Sequence, residues 1–261
     1  MRFLICNGSL KGDGESNTFK VSKMLQTAFN MLGHECELVT LRDLNYEGST
    51  DEVNDELQPV IKKMLEMDGV VFATPIWWGV HSCHIQALME RLDPIYSWAK
   101  DNNYQPFYNK VFGSLVSGGG DGFQHIHGIL YSFASNFGFT IPPQCNIESR
   151  AQGTANIVKD DDTYEQVKNC ATNMVVWAQI LRENQPTIKA RHGSVDINES
   201  NLANAELAKK FNNYGLAAKH LQGRFYAYKD GKMTGGPFDT IDQLQAHQQE
   251  ILDKMDSKNE N

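Results

Sequence analysis

A short polar segment near the N-terminus carries five side chains that could bind an anion: Ser9, Lys11, Ser16, Asn17 and Thr18. An apolar run at residues 2–6 precedes the segment, and a helical pattern begins at residue 19. In α/β proteins such a strand, polar loop and helix start form anion sites, because loop N–H groups and the helix N-terminus attract negative charge. Phosphate is the expected ligand. The alternative is a solvated turn in which Ser16 or Asn17 caps the helix.

Two adjacent tryptophans, Trp77 and Trp78, form a second candidate site in a loop from Pro75 to Gly79. Indole rings are suited to stacking on a planar ligand. Pro75 and Gly79 are expected to keep the backbone of this loop extended. The alternative is that one or both rings fill the core or a subunit contact.

A third candidate site is the segment Ser117–Phe123, which contains four glycines. Because glycine has no Cβ, backbone N–H groups in such a loop can approach the edge of a ligand closely. The alternative is a flexible connector. Ser9–Thr18, Pro75–Gly79 and Ser117–Phe123 are called the first, second and third loops below.

The elements that must position these loops follow from the apolar pattern. Apolar runs predict five strands, at residues 2–6, 35–41, 70–74, 111–116 and 139–147. Helical spacing predicts helices between and after them, at residues 19–32, 51–67, 85–92, 126–137 and 164–181. Strict alternation of strand and helix implies a doubly wound parallel sheet with right-handed crossovers. The three loops follow the first, third and fourth strands, so they are expected to meet at the carboxyl edge, where such sheets bind ligands.

The sequence is expected to divide into an α/β domain at 1–184 and a C-terminal extension at 185–261. The extension is predicted to be mostly helical, with a linker, a helix at 201–221, a short hairpin centred on Asp230-Gly231 and a terminal helix at 239–255. Within the first domain, residues 93–109 are predicted to form a long aromatic-rich connection.

Composition limits the classes of partner. A formal net charge of −8 argues against a general nucleic-acid binder or a protein of anionic membranes. The five cysteines occur singly and favour a reducing compartment over a disulfide framework. No apolar run is long enough to span a bilayer, and the start is too short for a signal peptide. A soluble cytoplasmic protein is therefore expected.

Taken together, the loops resemble those of the flavodoxin-like NADPH-dependent FMN reductases and multimeric (WrbA-like) flavodoxins. Gly8–Lys11 with Ser16–Thr18 is similar to the phosphate loop of that group, and Thr74–Gly79 to its isoalloxazine loop. Ser117–Gly122 stands where its third flavin loop lies. The resemblance covers roughly residues 1–184. It implies a flavodoxin-like five-stranded parallel sheet of order 2-1-3-4-5.

The resemblance also implies a function. The expected activity passes reducing equivalents from NAD(P)H through FMN to a flat small-molecule acceptor, such as a flavin, quinone, azo or nitroaromatic compound. A homodimer or homotetramer is implied as well. Trp77, Trp78 and Phe123 are expected to border the acceptor. The expected FMN contacts are Ser9, Lys11, Ser16, Asn17, Thr18, Pro75, Ile76, Trp77, Trp78, Gly79, Ser117, Gly118, Gly119, Gly120 and Gly122.

No side chain is expected to act as an acid, base or metal ligand, because the flavin carries the chemistry. Lys11 replaces the arginine of the family and would lose its bidentate phosphate contact. Residues 42–60 lack the cysteine cluster of iron–sulfur flavoproteins, so no such cluster is expected.

Two other functions stay open on the sequence alone. One is a flavodoxin-type electron carrier that does not oxidise NAD(P)H itself. The other is a flavodoxin-fold binding protein that has lost the flavin and uses the extension as an interaction arm.

Overall fold

The computed structural model describes residues 1–12, 14–48, 54–101, 105–150, 161–184, 215–221 and 224–259. The chain divides into two compact units, Met1–His192 and Gly193–Asn261. The first unit contains a parallel sheet with helices, and the second contains a small antiparallel sheet with one described helix.

The sheet of the first unit has the predicted order, β2-β1-β3-β4-β5, with every neighbouring pair parallel. The two central strands β3 and β4 are buried along almost their whole length, because helices cover both faces of a parallel sheet. Strand order reverses between β1 and β3, which is where such sheets open a ligand crevice. The strands are β1 (Arg2–Asn7), β2 (Glu35–Thr40), β3 (Gly69–Pro75), β4 (Val111–Ser117) and β5 (Asn146–Ser149).

Six described helices accompany this sheet: α1 (Asn17–Met31), α2 (Leu57–Glu66), α3 (Cys83–Arg91), α4 (Asp93–Asp101), α5 (Phe123–Asn136) and α6 (Asp161–Asn184). Apolar side chains of α1 and α6, such as Leu25 and Met174, form the core on one face of the sheet. Side chains of α2, α3 and α5, such as Ile61, Leu88 and Leu130, form the core on the other face. The sheet is therefore held rigidly from both sides, and its carboxyl edge can carry loops.

Three predictions for this unit are wrong in detail. The helix predicted at 51–67 begins only at Leu57, and residues 54–56 are not helical. The segment predicted as a connection at 93–109 begins with helix α4, whose second residue is Pro94; proline is well tolerated at a helix start. The fifth strand begins at Asn146 rather than at residue 139. Pro142 and Pro143 have no N–H for a sheet ladder, and before them only Thr140 pairs with Val111, as an isolated bridge.

The second unit contains β6 (Leu216–Leu221), β7 (Arg224–Lys229) and β8 (Lys232–Phe238) in an antiparallel sheet, followed by α7 (Ile241–Asn259). The helix predicted at 201–221 is wrong at its C-terminal end, because pairing with β7 makes residues 216–221 a strand. Residues 201–214 lie outside the described residues. The hairpin predicted around Asp230-Gly231 is confirmed, with Lys229 paired to Lys232 across the turn. The described extension is therefore not mostly helical.

Among the described residues, no helix combines the length and apolar character that crossing a lipid bilayer requires.

Candidate functional site

The three loops meet in one cavity of about 310 Å³ at the carboxyl edge of the sheet. Small-molecule sites are typically about 300–1,000 Å³, so this volume lies at the lower end of that range. Most of the lining comes from the first loop and the start of α1, and the rest comes from the second and third loops. The lining residues are Ser9, Leu10, Lys11, Glu15, Ser16, Asn17, Thr18, Pro75, Ile76, Trp77, Ser117, Gly118 and Gly119.

The first loop is folded tightly onto the start of α1. The backbone N–H groups of Glu15 and Ser16 both donate to the Gly12 carbonyl at 2.9 Å. Ser16 is the N-cap of α1, and its hydroxyl accepts a hydrogen bond from the Phe19 N–H at 3.0 Å. The helix N-terminus therefore faces this loop with its partial positive charge. Capping and anion binding are compatible, because a cap satisfies only part of the first-turn donors.

Buried hydroxyl groups connect the first loop to itself and to the third loop. The Ser16 hydroxyl donates to the Ser9 hydroxyl at 2.5 Å. The hydroxyls of Thr18 and Ser117 are hydrogen-bonded at 2.6 Å across the cavity floor. All four residues are at most 4% exposed. Buried hydroxyls that line a cavity beside a helix N-terminus are suited to hold a phosphate group.

The second loop is a tight turn, so the prediction of an extended backbone is wrong. The Trp77 N–H donates to the Val80 carbonyl at 2.9 Å, and the Val80 N–H donates to the Trp77 carbonyl at 3.0 Å. Trp78 and Gly79 both have positive φ, 51° and 79°. Two-residue hairpins favour this pattern because it matches the twist of the flanking strands. Just before the turn, the Ile76 N–H donates to the Ser117 carbonyl at 2.9 Å, so the second and third loops are joined.

Glycines allow the third loop to approach the second. A Cβ on Gly122 would lie 2.6 Å from the Gly79 carbonyl oxygen. A Cβ on Gly118 would lie 2.9 Å from the Ile76 side chain. Close contact between these loops therefore requires glycine at both positions.

A buried polar pair holds the two elements that carry the third loop. Ser114 on β4 and His127 on α5 are hydrogen-bonded through Oγ and Nδ1 at 2.7 Å. The second ring nitrogen of His127 is buried and has no hydrogen-bond partner among the described residues. Burial lowers the pKa of His127 to about 4, so the ring is neutral near pH 7.

Several residues predicted for the site do not line this cavity. Trp78 is 97% exposed at the tip of the turn, next to Trp77. Phe123 is 3% exposed and packs beneath the guanidinium of Arg150, whose Cζ is 5.5 Å from the ring centre. Gly79 contacts the third loop instead. Gly120, Gly122 and Phe123 border a neighbouring cavity of about 330 Å³ with Gln124, His125, Glu148 and Arg150.

Sequence reasoning missed Leu10 and Glu15, which line the cavity, and Arg42, whose guanidinium donates to the Lys11 carbonyl. Arg42 follows β2 at its carboxyl end. In the order β2-β1-β3 that end lies beside the first loop, so topology was the available signal. Within the described part of the chain, no three His, Cys, Asp or Glu side chains converge as a metal site would need.

A parallel sheet of order 2-1-3-4-5 with a polar loop, an aromatic loop and a glycine loop at its carboxyl edge has the flavodoxin-like fold. Residues 1–152 match the family described as NADPH-dependent FMN reductase. Because this match spans more than half of the chain, the protein belongs to that family.

Three similar proteins illustrate the relationship. The chain is 26% identical over 156 residues to 8-demethyl-8-aminoriboflavin-5'-phosphate synthase of Streptomyces davaonensis, covering 55% of this chain and 61% of that protein. The structure of RosB with bound 8-demethyl-8-formylriboflavin-5'-phosphate aligns with a TM-score of 0.63 at 21% identity, over 76% of this chain and 92% of that one. A flavone reductase structure aligns with a TM-score of 0.54 at 15% identity, over 100% of this chain and 92% of that one.

At these identities the two structural alignments establish a shared fold only. The chain spans 22%, 61% and 60% of the length of three curated relatives that it matches.

The residues of the cavity fit FMN. Its donor set is a helix N-terminus and buried hydroxyls, which together match a phosphate ester without requiring a guanidinium. The cavity is also lined by Ile76, Trp77, Gly118 and Gly119, whose apolar side chains and backbone suit a heteroaromatic ring. Among the described lining residues only Glu15 opposes a phosphate by its charge, and Lys11 can offset it.

Proposed function

We propose that this protein binds FMN noncovalently in the three-loop cavity and transfers reducing equivalents from NAD(P)H to a flat small-molecule acceptor. Flavins, quinones, azo compounds and nitroaromatics are the proposed acceptor classes. One observation carries the proposal: loops that are far apart in sequence line a single cavity, and the Thr18–Ser117 hydrogen bond joins two of them.

In this proposal each loop has its own task. Ser9, Ser16, Asn17 and Thr18 hold the phosphate with the N-terminus of α1, and Lys11 adds a solvent-exposed charge. The second and third loops hold the ring system through the residues that line the cavity, Pro75–Trp77 and Ser117–Gly119. Trp77 and Trp78 belong to the part of the site that faces the acceptor, whereas Phe123 is buried beneath Arg150.

Bound FMN supplies the redox chemistry, taking up a hydride from NAD(P)H and reducing the acceptor. The residues of the chain bind and orient the reactants. Hydroxyls, the Asn17 amide, the Trp77 indole, apolar side chains and backbone groups make up most of the cavity lining, and Lys11 and Glu15 are the charged side chains among the described lining residues. The proton that a quinone takes up during reduction would come from water, since the cavity opens to solvent.

The name of the flavone reductase adds flavones to the acceptors to be tested, because a flavone is also flat and aromatic. A second candidate function comes from the relative named 8-demethyl-8-aminoriboflavin-5'-phosphate synthase. In that case the flavin phosphate in the cavity would be a substrate, and its ring substituent would change.

The test is anaerobic stopped-flow mixing of the FMN-loaded protein with NADPH or NADH, followed by addition of a naphthoquinone or a flavone. The proposal predicts that NAD(P)H bleaches the flavin absorbance and that the acceptor restores it. A flavin that only dithionite can bleach would indicate an electron carrier. Protein that retains no FMN would indicate a binding protein, and a change in the mass of the released flavin would indicate the second candidate.

We further propose a cytoplasmic homodimer or homotetramer with no nucleic-acid or membrane partner. The five cysteines are all free thiols, as expected in a reducing compartment. Burial raises the pKa of Cys6 and of Cys36 to about 12, which keeps both thiols protonated and unreactive. Light scattering of the full-length protein tests the oligomeric state.

A further inference from the structure

Trp78 occupies a position in the second loop that tryptophan adopts only under strain. Its φ is 51°, and the next residue, Gly79, has φ 79°. Positive φ at both central residues of a two-residue turn strongly favours Asn, Asp or Gly at the first of them. A bulky side chain there brings Cβ close to the following carbonyl oxygen. The turn itself therefore gives no reason for a tryptophan.

Burial gives no reason either, because the side chain of Trp78 is 97% exposed. A ring that packs against nothing gains little from the fold and leaves a large apolar surface in water. Both the backbone strain and the exposure oppose folding. Strained residues of this kind persist where the surrounding structure fixes them, and they cluster at ligand sites.

The surroundings do fix the backbone of this turn. Two hydrogen bonds join Trp77 to Val80, and a third joins Ile76 to Ser117. On the other side, Gly79 is so close to Gly122 that a Cβ on Gly122 would clash with the Gly79 backbone. The Trp78 ring is thus carried on a clamped turn beside the mouth of the cavity, and only its side-chain torsions are free.

The chemistry of the cavity mouth indicates which ligand the ring would contact. Leu10 and Trp77 line the cavity and are 39% and 41% exposed, and Val80 opposite Trp77 is 44% exposed. Trp78 adjoins Trp77, so four exposed apolar side chains stand in or next to the first two loops of the cavity. Exposed apolar side chains of this kind suit the aromatic ring of an acceptor.

We infer that Trp78 is a specificity-determining residue that stacks on the ring of the flat acceptor and so favours aromatic over compact acceptors. This inference rests on the proposed function. In the reaction a quinone receives a hydride and a proton to become a hydroquinone. A ferricyanide ion receives a single electron and offers no ring for stacking.

The experiment compares KM for a naphthoquinone with KM for ferricyanide, with NAD(P)H as donor and full-length protein loaded with FMN. In Trp78→Gly, which relieves the positive φ, the KM for the naphthoquinone should rise relative to that for ferricyanide by about three- to tenfold. Trp78→Phe keeps an aromatic ring, so its ratio of the two KM values should stay close to that of the wild-type protein. Asp230→Gly, a matched change at the same turn position of the second unit, should leave the ratio unchanged.

The outcomes separate the inference from the proposed function. If the wild-type protein reduces neither acceptor with NAD(P)H, the proposed function fails. If it reduces both and Trp78→Gly leaves the KM ratio unchanged, the inference fails alone. The inference also fails if Trp78→Phe behaves like Trp78→Gly, because the ring would then be irrelevant.

Discussion

Two turns in this protein share a backbone conformation and differ in sequence. Trp78-Gly79 has φ values of 51° and 79°, and Asp230-Gly231 has φ values of 47° and 81°. Asp-Gly is among the sequences that such a turn prefers, and the Asp230 N–H also donates to the Gly215 carbonyl at 2.9 Å. Trp78 has the same backbone conformation, but tryptophan is not a residue that such a turn prefers, and the Trp78 side chain is exposed. The fold accounts for Asp230 but not for Trp78, which we propose contacts a ligand.

This comparison extends to the regions around the two turns. In the second unit, residue choice follows strand pairing and turn geometry. At the carboxyl edge of the parallel sheet, some residues are polar and buried, Trp78 has a strained backbone, and others are apolar and exposed. Each of these features opposes the stability of the fold. Natural proteins depart from folding preferences in this way mainly at functional sites.

The largest expected effect is at the hydroxyl bridge. Thr18→Leu removes the hydrogen bond to Ser117 and puts a larger side chain into the proposed phosphate position. Overpacking and a lost charge-assisted hydrogen bond together amount to about 4 kcal/mol, or about a thousandfold weaker FMN binding. Fluorescence titration with FMN measures the affinity. Thr27→Leu, on the exposed side of the same helix, is the control. If both variants bind FMN with the same affinity, the hydroxyl bridge at the carboxyl edge does not contribute to FMN binding.

An acid titration measures how the burial of His127 near the site affects the stability of the protein. His127 is neutral in the folded state, with a pKa of about 4 against an ordinary value of 6.5. Between these pH values the unfolded chain binds the proton and the folded chain does not. Stability should therefore fall by about 3 kcal/mol as the pH decreases from about 6.5 to about 4.

His127→Asn removes the titrating group and should flatten this part of the stability curve relative to wild type. Urea unfolding followed by tryptophan fluorescence measures the first unit, because all four tryptophans lie within Met1–His192. Parallel pH dependences of the two proteins would show that His127 does not titrate on unfolding.

Exchanging the residues of the two turns tests the comparison directly. Trp78→Asn puts a preferred residue at positive φ and should stabilise the protein without FMN by about 1 kcal/mol. Asp230→Trp introduces the same strain into the second unit and should destabilise it by about 1–2 kcal/mol. Urea unfolding of each variant measures both changes. A destabilised Trp78→Asn would mean that the fold itself requires the indole.

The smallest expected effect is at Lys11. Its ammonium group is exposed, so its interaction with a phosphate is screened by water and contributes at most about 1 kcal/mol. Lys11→Ala should weaken FMN binding by less than about fivefold. Isothermal titration with FMN would detect the change. A loss as large as that of Thr18→Leu would show that charge, rather than hydroxyls and the helix N-terminus, holds the phosphate.

Much of the fold could be predicted from local pattern. The unbroken apolar runs of β3 and β4 and the Gly-rich segments after strands identified the sheet and its ligand edge, because parallel strands are buried on both faces. Asp230-Gly231 identified the hairpin between β7 and β8, because the Asp-Gly sequence by itself favours a two-residue turn.

The missed features depend on tertiary contacts. Residues 216–221 read as helical, and pairing with β7 makes them a strand. The turn at Trp78 was not predicted, because tryptophan is not among the residues that such a turn prefers. Arg42 reaches the Lys11 carbonyl only because the sheet order brings β2 beside β1. Such contacts leave little local signal in the sequence.

The most direct test of the central claim is titration of the purified full-length protein with FMN while tryptophan fluorescence is recorded. Trp77 lines the cavity and Trp78 stands beside it, so bound flavin should quench their emission saturably. FMN bound in the cavity should give this quenching and a yellow protein after gel filtration. A colourless protein whose fluorescence is unchanged by FMN would contradict the assignment of the cavity.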